Sequence, residues 1–261
     1  MAARLSHDDV LRGVTRRRLL AGLKGARVIR VFRRAKHAVL VTDRGRLVVQ
    51  PGMTGSLFVR SAWRVGRTAS TRNAQRATRN YEVLQIDLAN GKTLVYRDPR
   101  RLGTLLWLDD TGWEVYTTAL GPEPLDPQFT APVLGRILAG SRAAVKKVLM
   151  DQGALAGVGN IYAQEALFEA GIDPSKPANL VSREAVRRLH RHLVRILRIA
   201  VASQGTTIRD YRTGSGRPGG FQLRLKVYGR EGEACVRCGT TLAGTHVIDA
   251  RITVFCHRCQ R

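Results

Sequence analysis

Ala156-Gly157-Val158-Gly159-Asn160-Ile161-Tyr162-Ala163 is the stretch from which the fold reads. Two glycines flank one valine just before a run with helical character, and glycine lets the backbone come close to an anion. A helix predicted over 160–170 starts here and offers its first free N–H groups to a phosphate. Asn160 adds a side-chain donor. A Gly-x-Gly turn by itself equally suits a plain helix–helix connection, so its surroundings decide.

Upstream, 132–139 and 143–151 read as helices, the second ending in Lys146-Lys147-Val148-Leu149-Met150-Asp151. Downstream, Ser182 can cap a helix with Val186, Leu189, Leu193, Ile196, Leu197 and Ala200 at three- and four-residue steps. The arginines opposite, Arg187, Arg188, Arg191, Arg195 and Arg198, read as a solvated face. Residues 204–224 form a Gly-rich loop. Ahead of all this, Leu120-Gly-Pro-Glu-Pro-Leu-Asp-Pro127 reads as a linker. Before the linker the period changes. Strands are expected over 28–32, 36–41, 46–49, 81–88, 93–97 and 103–108, with Asn90-Gly91 as a hairpin turn. Residues 8–24 read as helical. The Arg-rich segment 61–80 reads as a loop.

Four cysteines lie in the last 27 residues, as Cys235-Val-Arg-Cys238 and Cys256-His-Arg-Cys259 with 17 residues between the pairs. That spacing suits four thiolates around one tetrahedral, structural Zn²⁺ with no open position. Redox dithiols or disulfides are the alternative, and no thioredoxin-like pattern accompanies them.

Lys and Arg number 44 against 20 Asp and Glu, a formal charge of +24. A polyphosphate partner answers such an excess, and a solubility surface is the bland alternative. No apolar run approaches the roughly 18 residues of a bilayer span, and no charged n-region followed by an apolar h-region stands at residue 1, so export is not expected. A membrane role is not expected, and a cytoplasmic location is.

These motifs stand in one order: Asp98-Pro-Arg-Arg101, Leu120-Gly-Pro-Glu-Pro124, Gly157-Val-Gly-Asn-Ile-Tyr162, Val227-Tyr-Gly-Arg230 and the cysteine pairs. In this the sequence resembles the formamidopyrimidine-DNA glycosylases, bacterial base-excision enzymes with a helix–two-turn–helix domain. The resemblance runs from about residue 19 to the end. It implies excision of oxidised purines from duplex DNA by base flipping, glycosidic cleavage and β,δ-elimination through an imine. Lys36 and Arg251 take the catalytic cations' places, Arg251 also at the phosphates beside the lesion. Met53 is the wedge for the vacated space, and Arg100 reaches the orphaned base. Leu102 stands where the family usually has Phe, and Tyr81 near a DNA-contacting His. Gln50-Pro51 replaces a common His-Leu pair. Asn160, and with it Arg142 and Lys146, would bind phosphate. Thr206, Thr207 and Arg217 belong to the loop that covers an oxidised purine.

The family uses an N-terminal proline amine followed by a glutamate. This sequence opens Met1-Ala2-Ala3-Arg4-Leu5. Two expectations follow: a native start upstream, or a shortened paralogue that binds damaged or abasic DNA without cutting. A zinc-finger regulator of another class would instead select base sequence and ignore lesions. The expected architecture is α+β and multidomain. A β-sandwich-like N-terminal domain (1–118) leads through a linker (119–132) to a helix–two-turn–helix domain (133–224) and a C-terminal β-hairpin zinc finger (225–261). The expected partner is double-stranded DNA with damaged or abasic sites, bound by a monomer.

Overall fold

The computed structural model describes residues 1–60, 81–208 and 217–261. The loop expected at 61–80 and the central part of the 204–224 loop lie outside them. The chain forms two compact units, one of Met1–Thr117 with Thr207–Gly219 and the other of Thr118–Thr206 with Gly220–Arg261.

Among its described residues the first unit holds two four-stranded antiparallel sheets. Strands β1 (Ala2–Leu5), β6 (Glu82–Asp87), β7 (Thr93–Arg97) and β5 (Ser56–Arg60) follow in that order across one sheet. Strands β2 (Val28–Arg34), β3 (His37–Thr42), β4 (Gly45–Gln50) and β8 (Thr104–Leu108) make the other. Leu5, Leu84, Ile86 and Tyr96 of the first sheet share a core with Leu40, Leu47, Val49, Leu105 and Trp107 of the second. Helix α1 (Arg16–Leu23) adds Leu19 and Leu23. Each such aliphatic side chain contributes roughly 1.5–3 kcal/mol by leaving water.

The second sheet is covered on its other face as well. Val39, Val41 and Val48 pack there with Phe32, Trp113 and Tyr116. Burial on both faces is why 37–42 reads as a continuous apolar run, not an alternating one. Trp113 and Tyr116 come from helix α2 (Asp110–Thr118), which the sequence reading did not anticipate. Asp109 caps it, accepting the Gly112 N–H at 2.8 Å and, through its carbonyl, the Trp113 N–H at 2.9 Å.

Two further expectations are corrected. The helix expected over 8–24 begins only at Arg16, where the Thr15 hydroxyl accepts the Arg18 N–H. Residues before it run beside β8 instead, with Arg12 N–H bonded to Leu105 and Leu105 N–H to Val10. Strands β1 and β5 were not foreseen.

The second unit is helical. Helices α3 (Ala131–Ala139), α4 (Val145–Met150), α5 (Asn160–Ala170) and α6 (Arg183–Ala202) enclose one core. The Ser182 hydroxyl caps α6 as expected, and all six of its foreseen apolar residues are buried. The proline-rich segment is built in: Gly121 N–H bonds to Gln152 and Pro122 accepts from Ala156. A short hairpin, β9 (Ala243–Thr245) with β10 (Thr253–Phe255), carries the cysteine region. Among the described residues no helix is long and apolar enough to cross a membrane.

Candidate nucleic-acid interface and cysteine cluster

In the first unit one buried carboxylate organises two turns. Asp98 accepts from the Thr54 hydroxyl at 2.5 Å, the Tyr96 phenol at 2.9 Å and the Gly103 N–H at 2.8 Å. The Gly52-Met53-Thr54 turn and the Arg100-Arg101-Leu102 turn are thereby tied together. Burial, then Asp98 itself, pushes the Tyr96 phenol far above its ordinary range, so it stays a donor. Gly52 has φ +62°, and a Cβ there would sit 2.9 Å from the Gly103 nitrogen. The close approach needs a glycine. Held this way, Met53 is 65% exposed and Leu102 49% exposed. Arg100 is exposed between them in sequence, and Tyr81 is exposed with its carbonyl accepting the Asp98 N–H. The role of Asp98 was missed from sequence, although its motif was noted.

Lys36 is exposed at the β2–β3 turn, directly after Ala35 at φ +52°. Among the described residues, three non-glycines have positive φ: Ala35, Arg101 and Gln204. Each adjoins or lies within two residues of an expected site residue: Lys36, then Arg100 and Leu102, then Thr206. Such backbone costs of order 1–3 kcal/mol and persists where the surroundings dictate it. Arg101 is tied to Asp9 at 2.6 Å.

In the second unit the Gly157-Val-Gly159 turn is laced by Gln152, whose amide donates to Met150 and Val158 carbonyls and accepts the Gly157 N–H. Among the described residues no side chain caps α5. Asn160 donates to the Ile252 carbonyl at 3.4 Å, which sets it beside Arg251 in the finger hairpin. Buried Gln164 makes the same join firmly. It donates to Ile252 at 3.0 Å and to Asn160 at 2.9 Å, and accepts the Val254 N–H at 2.8 Å.

Lys146 needs correction. A surface phosphate contact was expected, yet its side chain has 0% exposure. It donates to the Thr253 hydroxyl at 2.7 Å and lies 3.6 Å from the Asp249 carboxylate. Burial pushes its ammonium below the ordinary range, opposed by Asp249. Arg142 and Lys147 are the exposed cations of this stretch. Thr206 exchanges a hydrogen bond with the Tyr162 hydroxyl, and Thr207 accepts the Gly219 N–H, closing the neck of the expected lesion loop. Arg217 is exposed.

The four cysteine sulfurs lie within 4.8 Å of one another. Sγ of Cys235 is 3.9 Å from that of Cys259, and Cys238 is 3.6 Å from Cys256. A tetrahedron with metal–sulfur bonds of about 2.3 Å has edges of about 3.8 Å, so the set fits one metal ion. Gly239 at φ +73° makes the knuckle turn foreseen there. Hydrogen bonds from Thr240 hold the Cys238 thiol down to about 6. The finger rests on α5: buried Glu165 accepts the N–H groups of Lys226, Val227 and Tyr228, and Arg237 stacks on Phe168.

Residues 1–105 match the sequence model of the formamidopyrimidine-DNA glycosylase N-terminal domain, and 120–212 that of the same family's H2TH domain. The formamidopyrimidine-DNA glycosylase of Stutzerimonas stutzeri (strain A1501) is 44% identical over 239 residues, covering 92% of this chain and 84% of that one. That of Xanthomonas campestris pv. campestris (strain B100) is 45% identical over 240 residues, with 92% and 84% covered. The structure of the MutM (Fpg) protein from Thermus thermophilus superposes with a TM-score of 0.81 at 36% identity, covering 99% of this chain and 90% of that one. The complex of Lactococcus lactis Fpg with abasic-site DNA gives 0.85 at 27% identity, covering 100% and 91%.

Proposed function

This chain belongs to the formamidopyrimidine-DNA glycosylase family, and from that premise we propose that it excises oxidised purines from duplex DNA and then opens the abasic strand. The observation that carries the reading is the Asp98 clamp, which holds Met53 and Leu102 out into solvent on a rigid base. Flipping a damaged nucleotide costs a few kcal/mol. Apolar side chains that fill the vacated space offset that cost, and the planar Arg100 guanidinium offers several donors to the base left behind. Leu102 fills space without the stacking of an aromatic ring.

Phosphate grip comes from Lys36, Arg142, Arg251 and Asn160, with the uncapped start of α5 beside Asn160. Thr206, Thr207 and Arg217 belong to the loop that would close over the lesion, and Tyr81 adds a flanking contact. Chemically, an amine attacks C1′ as the base leaves with a proton, and opening of the sugar ring at the C1′–O4′ bond then gives the imine. Loss of a C2′ proton then expels the 3′ phosphate, and a second elimination expels the 5′ phosphate. Cations at Lys36 and Arg251 stabilise the phosphate charge that departs. We infer Zn²⁺ for Cys235, Cys238, Cys256 and Cys259. Bound there it supplies a closed four-thiolate cross-link and no catalytic position. We place the protein, as a monomer, at the bacterial nucleoid.

Structures similar to this one hold DNA with Fapy-dG, an abasic site or carbocyclic 8-oxo-G. The test is borohydride reduction on a duplex with 8-oxoguanine opposite cytosine, beside an abasic duplex. A covalent adduct with strand nicking is expected. A second reading, lesion binding without cutting, draws on one observation: the exposed Leu102 fills space but cannot stack on a base as an aromatic ring does. Lesion-selective binding with no adduct would favour that second reading over the first.

A further inference from the structure

Between β9 and β10 the hairpin tip, 246–252, has no strand pairing of its own. Its Arg251 side chain is 59% exposed. Asp249 stands beside it, 12% exposed. One carboxylate oxygen, Oδ1, accepts the Arg251 backbone N–H at 3.0 Å and lies 3.4 Å from its Nε. The other, Oδ2, faces the buried Lys146 ammonium at 3.6 Å. Lys146 sits on α4 between Val145 and Leu149, both fully buried, and so belongs to the scaffold and not to the tip.

A carboxylate near a phosphate site is a puzzle, because alone it would repel the ligand. A buried ammonium is a second puzzle, because alone it is costly. The two answer one another. We propose that Asp249 is the positioning residue for Arg251: it fixes the guanidinium through Nε and the backbone N–H, while Lys146 cancels its charge and anchors it to α4. The three groups together carry one net positive charge, placed at the outermost of them. This inference rests on the reading of Arg251 as a phosphate ligand. Pre-ordering a long side chain saves an ordering cost that corresponds to about three- to tenfold in affinity.

The test is a double-mutant cycle on affinity for an abasic duplex, using the zinc-loaded full chain. Asp249→Ala should weaken binding about three- to tenfold when Arg251 is present and leave affinity nearly unchanged in an Arg251→Ala background. Asp249→Asn keeps an oxygen for both Arg251 donors and should recover part of the loss. Lys146→Met should weaken binding only while Asp249 is present. Tighter binding by Asp249→Ala, or an equal loss in both backgrounds, would overturn the proposal. Unchanged affinity for Arg251→Ala alone would instead overturn the phosphate role of Arg251, on which the proposal stands.

Discussion

Asp98 meets three donors with two oxygens inside a dry interior. Replacing it by alanine strands the Tyr96 phenol, the Thr54 hydroxyl and the Gly103 amide at once. Asp98→Ala should lower stability by about 2–4 kcal/mol in urea unfolding, and erase selectivity for a lesion over intact duplex. Retained selectivity in a folded variant would separate the clamp from recognition. His37 sets a pH limit. Burial holds its imidazole below the ordinary 6.5, opposed by the Arg34 carbonyl and Gln50. The unfolded chain therefore takes up this proton first as pH falls. The stabilisation is present above pH 6.5 and is lost as pH drops through the lower folded value. Urea midpoints should fall between about pH 7 and 5, with a shallower fall in His37→Gln. At this scale the resemblance put forward Met53, Arg100, Asn160 and Arg251 as site residues, and it expected a phosphate contact from Lys146, whose side chain the structure buries. Its phase was visible, since it lies one turn before buried Leu149. What was not visible was Asp249 and Thr253, more than a hundred residues away, waiting to receive an ammonium.

Between elements, the finger depends on a few buried amides and carboxylates. Gln164, with Asn160 beside it, links α5 to the hairpin through Ile252 and Val254. Gln164→Ala should cost about 2 kcal/mol and speed metal loss to a chromogenic chelator, with the helical core intact. Unchanged release kinetics would mean that Glu165 and Arg237 hold the finger unaided. Elements governed by local rules were legible: the α6 cap and stripe, the Asn90-Gly91 turn, the Gly-rich entry to α5. Those governed by partners were not. β1 is four residues with no apolar alternation, defined by pairing with β6. β5 takes its register from β7. Helix α2 has no fully buried residue, and Gly112 sits in its first turn, so neither periodicity nor propensity announced it.

Over the whole molecule, charge and metal act on the same outcome. A chain with a +24 excess should bind any duplex at low salt, and lesion preference should emerge as salt rises and the non-specific part falls away. Chelation should detach the finger, abolish abasic-duplex binding at physiological salt and leave the β unit's unfolding transition in place. Abasic binding that survives complete metal removal would sink the staple role of the cysteine cluster. The domain order was legible because the cysteine spacing and the Gly-Val-Gly turn are short-range signals. The sandwich was less so, because the two edge strands of its other sheet, β1 and β5, take their places from pairing alone.

The Lys146 amine also has a chemical reactivity of its own. With 0% exposure it is closed to acylating reagents while the finger lies on α5. A reagent reaches it only during an opening, so its rate of labelling counts those openings one by one. Mass spectrometry of a timed acylation would then report the lifetime of the docked finger, on free protein and on DNA, with no probe attached.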